Sequence, residues 1–330
     1  MDVLALGVGR TARVNILICC GLRLTETVKA SRPPVAIVGT GAVAQALGRL
    51  LYLHGERVVA LASRNRFRAE GAATFIDPSV RPVACADLPS LAGRVLIAVR
   101  DEGITPVAEE LARAGMRTGV ALHTCGAKGP EALAPLKRAG VACGVLHPLQ
   151  TVVTREQGMK SLKGVTYGVA GDGPAIEWAE DIVGRLEGRA LRVAAGRLSS
   201  YHAGAVMASN ALVAVIDAAV VLMGQAGVER EAALRALESL ARASIDNVFA
   251  NGPSAALTGP IVRGDAETVA AHMDALDEAP PTVAALYVAA ARRLIEIARE
   301  RDLPEASVRA LESVLGSVRL KADTTTAKSA

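Results

Sequence analysis

Gly39, Gly41 and Ala44 are spaced as G-x-G-x-x-A inside VAIVGTGAVAQALGRLLYLHG, residues 35–55. That spacing suits the pyrophosphate of a dinucleotide. The first glycine permits a tight turn, the second leaves the backbone bare, and the alanine lets the next helix lie close to the strand. Thr40, Ala42 and Val43 complete the turn. Free N–H groups and the positive dipole end at a helix start favour phosphate there. About 20 residues on, an NAD site carries Asp or Glu for the ribose hydroxyls. Here the segment reads Ala62-Ser63-Arg64-Asn65, followed by Arg66 and Arg68, with no carboxylate. Ser63 can donate to a 2′-phosphate, and Arg64 can pair with it or stack on adenine. The expected cofactor is therefore NADP. The competing interpretations are a glycine turn that binds nothing and an ordinary solvated, basic helix start.

Hydride transfer from such a cofactor also needs a cleft and a proton donor. In open α/β sheets ligands bind beyond the carboxyl ends of the strands. Val99 is followed there by Arg100, His123 by Thr124-Cys125-Gly126, and His147 by Pro148-Leu149-Gln150-Thr151. Val99, Arg100 and His123 are expected on the cofactor, and Gln150 on the substrate. Loops are polar wherever strands end, so no single one of these is diagnostic. Later in the chain, YHAGAVMASN (residues 201–210) and LTGPIVRGD (residues 257–265) stand out. His202 is the first candidate for the proton donor, because imidazole titrates near neutrality. His147 is the next. Ser209 and Asn210 would orient the substrate, and Arg263 would hold a carboxylate. On one continuous helix, His202 and Ser209 share a stripe, and His202 and Asn210 lie roughly 12 Å apart. A histidine at a helix start can equally be a cap, and Arg263 a loop charge.

The elements that would position these residues follow from periodicity. Short apolar runs at residues 35–38, 58–62, 83–85, 95–99, 119–122, 141–146, 166–170 and 190–193 read as strands. Helical stretches separate most of them, which implies βαβ units and a parallel sheet. From residue 199 only helices are expected, near 199–224, 229–249, 266–277, 282–301 and 304–316. The domains expected are a loose extension at 1–33, a dinucleotide-binding domain at 34–196, a helical substrate and dimerisation domain at 197–318, and a disordered tail at 319–330. Residues 14–22 are apolar behind Arg10 and Arg13, but Asp2 and the lack of a clear cleavage site argue against a signal sequence. Residues 203–223 are long and apolar enough to test as a membrane span. Ser209, Asn210 and Asp217 interrupt them, so a helix buried in a domain or a homodimer is expected.

Length and composition narrow the classes further. With 330 residues, two domains are expected. A net charge of +4, with both signs mixed along the chain, offers no nucleic-acid stripe. Five cysteines without C-x-x-C point to free thiols in a reducing cytoplasm, not to disulfides or a metal site. The expected partners are a small-molecule substrate and a second copy of the chain.

Four phrases together, VAIVGTGAVA, HPLQT, YHAGAVMASN and LTGPIVRGD, resemble a known family over residues 33–316. It joins a Rossmann-like domain to a C-terminal domain of unknown function, number 2520. That family is similar to pyrroline-5-carboxylate reductases, ketopantoate reductases and 3-hydroxyacid dehydrogenases. The resemblance implies a Rossmann-type α/β sheet followed by an all-α domain like the C-terminal domain of 6-phosphogluconate dehydrogenase. It implies an NADPH-dependent reductase of a small keto or imino acid, with ketopantoate the preferred keto acid, and a helical domain that dimerises. One departure matters. The keto-acid members carry a catalytic lysine four residues before an asparagine. Asn210 fits that asparagine, but Val206 stands at the lysine position. The acid's role would pass to His202, or the protein would be a nucleotide-binding sensor without turnover.

Overall fold

The computed structural model describes residues 32–194 and 196–316, and the backbone of residues 12–13 and 27–28, which pair antiparallel. The expected N-terminal extension and polar tail lie almost wholly outside the described residues. The chain divides into two compact units, residues 1–206 and 207–330.

The first unit is built on one eight-stranded sheet. Its strands are β1 Val35–Val38, β2 Val58–Ala62, β3 Arg81–Val83, β4 Arg94–Ile97, β5 Val120–His123, β6 Ala142–Pro148, β7 Thr166–Gly171 and β8 Arg189–Arg192. In space the order is β3-β2-β1-β4-β5-β6-β7-β8. The first six strands follow the dinucleotide-fold order, which reverses between β1 and β4 and leaves a crevice there. β1 reads Val-Ala-Ile-Val and is buried along its whole length, as a central parallel strand covered on both faces must be. Helices α1 Ala42–Leu53, α2 Arg66–Ile76 and α6 Gly173–Arg185 contribute to the core on one face. Helices α3 Ile104–Arg113 and α4 Ala134–Arg138 contribute to the core on the other. Between β5 and β6 the helical stretch is a 3-10 turn, Pro130–Leu133, followed by the short α4. Pro135 at its start has no N–H to close a longer helix.

One strand departs from the expected parallel sheet. β7 runs antiparallel to β6, with Gly144 opposite Gly171 and Pro148 opposite Tyr167. Between them lies α5, Arg155–Ser161, of 7 residues. The connection does not cross back over the sheet, and β7 starts at the edge where β6 ends, Tyr167 opposite Pro148.

The second departure is at Ser209. A single helix was expected from residue 199 to 224. Instead α7, Leu198–Ala208, ends before Ser209, whose φ of −127° and ψ of −77° are not helical, and α8, Asn210–Gln225, begins after it. The Ser209 hydroxyl donates to Asn210 Oδ1 at 3.1 Å, and such local side-chain bonds compete with helix continuation. The stripe and spacing expected for His202, Ser209 and Asn210 on one unbroken helix therefore do not apply. The run Leu198–Gln225 has the length and hydropathy of a membrane span. The break divides it into helices of 11 and 16 residues, each short of the ~20 that cross a bilayer.

The second unit is all-α in its described residues. Helices α10 Ala266–Leu276, α11 Pro281–Arg299 and α12 Glu305–Gly316 enclose a core that includes Val269, Ile295, Val308 and Leu311. α8 and α9, Arg230–Asn251, differ from what their composition suggests. Only Val220 of α8 and Ala233 of α9 are buried. Val213 is 71% exposed and Phe249 85%. Of the 203–223 segment only the end is buried in its own domain, where Val220 is buried and Ala218, Val221 and Leu222 pack on the core, while Met207, Leu212, Val213 and Val215 are exposed.

Candidate active site

The crevice at the β1/β4 reversal is formed by backbone. Chain leaves β1 at Gly39, whose φ is +127° and whose N–H donates to the Ala62 carbonyl at 2.9 Å. A Cβ on Gly39 would lie 2.1 Å from the Ala98 carbonyl oxygen, so only glycine fits. Gly41 is the opposite case. A Cβ there would meet nothing within 4 Å. The space beside Gly41 is open, as close approach by a phosphate requires. α1 then starts with no side-chain cap and no acidic residue in its first turn. Its first N–H groups have no side-chain acceptor and remain for an anion.

Around this turn lies a cleft of about 1120 Å³. Its lining includes Gly39, Thr40, Gly41, Ala42, Val43, Ser63, Arg64, Val99 and Arg100, nine of the ten residues expected on the cofactor. The volume exceeds the roughly 300–1,000 Å³ of ordinary ligand pockets and has room for a dinucleotide. At the β2 end, Asn65 is committed to capping α2: its side chain accepts from Arg68 N–H at 2.9 Å. Ser63 is half-buried, while Arg64 and Arg68 are exposed on the same rim. No carboxylate stands between residues 63 and 68. Asp101, Glu102 and Glu110 line the cleft elsewhere, among the β4–α3 residues. The residues present therefore fit a dinucleotide with a 2′-phosphate. Two thiols also line the cleft. Burial pushes Cys85 up to about 12 and raises Cys125, so both are inert protonated thiols.

The tenth residue is corrected. His123 does not line the cleft but is fully buried. Its Nε2 donates to the Gly129 carbonyl at 3.0 Å and its Nδ1 accepts from Cys125 N–H at 3.3 Å. Burial lowers its pKa. Both ring nitrogens are used locally, which makes it a neutral strut under the 124–129 loop.

His147 lies at the end of β6, half-buried. Its Nδ1 shares a hydrogen bond of 2.9 Å with the Tyr201 hydroxyl, and the His202 ring stands 5.9 Å away, edge to face. Two glycines make room for the pair. A Cβ on Gly126 would lie 2.7 Å from the His147 ring, and one on Gly168 would lie 2.5 Å from the Tyr201 oxygen. Burial, then the neighbouring His202, pushes His147 down to about 4, while Asp101 opposes the shift. Burial raises the Tyr201 phenol, partly offset by a hydrogen bond with the Gly168 backbone. At neutral pH this is an uncharged imidazole–phenol pair with His202 beside it. Tyr201 was not singled out from sequence; its only signal was its place next to His202.

Gln150 does not reach the cleft lining. It is exposed, and its Oε1 accepts from Thr151 N–H at 2.9 Å within its own turn. Ser209, Asn210 and Arg263 belong to the second unit. Arg263 ends a one-turn helix, Pro260–Arg263, and is 3.9 Å from Asp265. Among the described residues no group of three or more His, Cys, Asp or Glu side chains is placed to hold a metal.

The sheet order and glycine turn define a Rossmann-type α/β unit, followed here by an all-α unit. The family model described as a Rossmann-like domain matches residues 22–148, and the one described as a domain of unknown function (DUF2520) matches residues 165–294. The chain thus joins a Rossmann-like domain to a DUF2520 domain. Solved structures share the fold. A Bacteroides fragilis protein described as a candidate NADP oxidoreductase is 19% identical, covers 81% of this chain and 99% of its own, and has a TM-score of 0.63. A Thermotoga maritima protein is 22% identical over 82% of this chain and 100% of its own, also at 0.63. Plasmodium falciparum pyrroline carboxylate reductase, solved with NADP bound, is 11% identical over 81% and 99%, at 0.51. Identities this low speak to the fold alone. A comparison with curated proteins finds no match.

The His147 environment makes a pH prediction. Its folded pKa, about 4, is below the unfolded value of 6.5. Its contribution to stability is therefore present above pH 6.5 and is lost as pH falls toward 4, by at most about 1.4 kcal/mol per unit. Urea unfolding at pH 7, 5.5 and 4.5 should show a smaller acid loss in His147→Gln than in wild type. Parallel curves for the two proteins would contradict the assignment.

Proposed function

We propose that the protein is an NADPH-dependent reductase of a small keto or imino acid. The observation that carries this is the open glycine turn at an uncapped helix start, next to a basic rim without a carboxylate. The N–H groups of residues 41–43 hold the pyrophosphate. Ser63 and Arg64 hold the 2′-phosphate. When bound, the cofactor supplies the hydride. A fold-mate solved with NADP bound supports the choice of nucleotide.

His202 supplies the proton. The preference for His202 is supported by the burial that lowers the pKa of both His123 and His147; His147 is the next candidate. His147, hydrogen-bonded to the Tyr201 hydroxyl, stands edge-on against the His202 ring. Ser209, Asn210, Gln150 and Arg263 are substrate contacts on sequence grounds only. Val206, where the resembling enzymes carry a lysine, leaves the cleft without their usual cationic acid. A keto substrate develops negative charge on oxygen and needs a donor in the transition state. A protonated imine brings its own proton, and hydride addition neutralises it. The second reading, a non-catalytic NADP sensor, is favoured by the same Val206.

The exposed apolar faces of α8 and α9 support a homodimer, since a patch carrying Val213, Leu240 and Phe249 is unsuited to water. A reducing, cytoplasmic setting suits the three described free thiols, Cys85, Cys125 and Cys143.

Two measurements follow. NADPH oxidation with a panel of keto and imino acids should give turnover, and none with any member would favour the sensor. With a keto acid, His202→Gln should lower kcat by ~10²–10⁴-fold and leave NADPH affinity within about a factor of three; with an imino acid the loss should be smaller. Near wild-type rates on a keto acid would make His202 structural. Separately, sedimentation at micromolar concentration should give a dimer that Val213→Glu weakens. A wild-type monomer would rule that out.

A further inference from the structure

We infer that Arg155 is a positioning residue for the dinucleotide turn, acting through Gln45 on the Thr40 carbonyl. The inference rests on the dinucleotide reading above and deepens it. Gln45 lies on α1 just past the glycine turn, and its Nε2 donates back to the Thr40 carbonyl at 2.8 Å. A glutamine amide has nearly the same outline either way round, so shape alone does not decide which end faces Thr40. Arg155 decides it. Its Nη1 donates to Gln45 Oε1 at 2.8 Å, and a guanidinium has donors only. The amide oxygen must face Arg155, and the NH₂ must face Thr40. The Thr40–Gly41 peptide is planar, so pinning its carbonyl also sets the direction of the Gly41 N–H on its opposite edge. Gly41 is the residue with open space beside it.

Arg155 is itself held from several sides. Its guanidinium centre lies 4.3 Å from the Phe75 ring centroid, at the end of α2. Phe75 is steadied by Arg49, which donates to the Phe75 and Ile76 carbonyls at 3.3 and 2.6 Å. α5 starts at a reciprocal cap: Thr154 Oγ1 accepts from Gln157 N–H at 3.1 Å, and Gln157 Oε1 accepts from Val153 N–H at 2.8 Å. One turn on, a Cβ at Gly158 would lie 2.7 Å from Ala46 Cβ, so α5 is seated directly on α1. The loop before α5 also reaches the cleft, through Val152. A surface ion pair with Glu156, at 2.7 Å, would account for none of the other contacts. Arg155 therefore joins α1, α2 and α5 to one peptide of the glycine turn.

The test uses the full chain and two probes, NADPH and adenosine 2′-monophosphate, which carries the 2′-phosphate but no pyrophosphate. Arg155→Ala should weaken NADPH by roughly tenfold, the scale of one lost charge-assisted hydrogen bond, and leave the monophosphate within about twofold. Gln45→Met, which keeps the length and removes both hydrogen bonds, should show the same split; it also stands in if Arg155→Ala does not fold. In NMR spectra the Gln45 side-chain NH₂ should lose hydrogen-exchange protection in Arg155→Ala. Unchanged NADPH affinity, or equal loss for both probes, would overturn the inference while leaving the cofactor reading intact. If wild type binds neither probe, the cofactor reading falls, and the role of Arg155 with it.

Discussion

The structure of the first unit depends on one close approach, between Gly39 and the Ala98 carbonyl. The backbone leaving β1 touches the backbone leaving β4 there, with room for a hydrogen and not for a methyl group. That contact is possible because β1 and β4 pair in parallel register, Val38 opposite Ile97. It forces the chain to turn at once, at a positive φ, and α1 begins three residues later. The N-terminus of α1 thus faces the crevice where the strand order reverses. Ser63, at the end of β2, and Val99, after β4, flank the same point. Every proposed cofactor contact follows from that turn.

Charge is distributed to match. The rim at Ser63–Arg68 is basic, and the helix start adds partial positive charge without an acidic cap. The first unit also holds two histidines with lowered pKa and three buried or half-buried thiols. At the opposite end of the strands, Glu56 is buried within reach of Arg32, Arg94 and Arg185. Burial raises its pKa against the pull of Arg94 and Arg32. That network ties β4, α6 and the chain entering β1.

Much of this was legible in the sequence, and the failures have identifiable causes. Strand and helix positions followed from periodicity, because apolar runs between turn residues are local signals. The glycine turn was legible because both glycines answer to backbone geometry. The direction of β7 was not, since it depends on the path of the connection from β6, which carries no local signal. The break at Ser209 was missed because an apolar run outweighed one Ser-Asn pair. His123 was placed in the cleft because it ends a strand; that its two ring nitrogens meet Gly129 and Cys125 is a property of the loop's path. The link from Arg155 to Gln45 spans 110 positions, and the one from His147 to Tyr201 spans 54, beyond any motif. Glycines 126 and 168 marked the second pair, but only the structure shows which rings they admit.

Selection of a 2′-phosphate by the Ser63–Arg64 rim is open to direct measurement. Dissociation constants for NADPH and NADH, measured on wild type and Arg64→Ala, test it without knowledge of the substrate. Wild type should bind NADPH more tightly than NADH, and Arg64→Ala should lose roughly tenfold or more on NADPH while sparing NADH, as expected for one charged hydrogen-bond partner. Equal wild-type affinities for the two nucleotides, or an Arg64→Ala variant that weakens both alike, would contradict it.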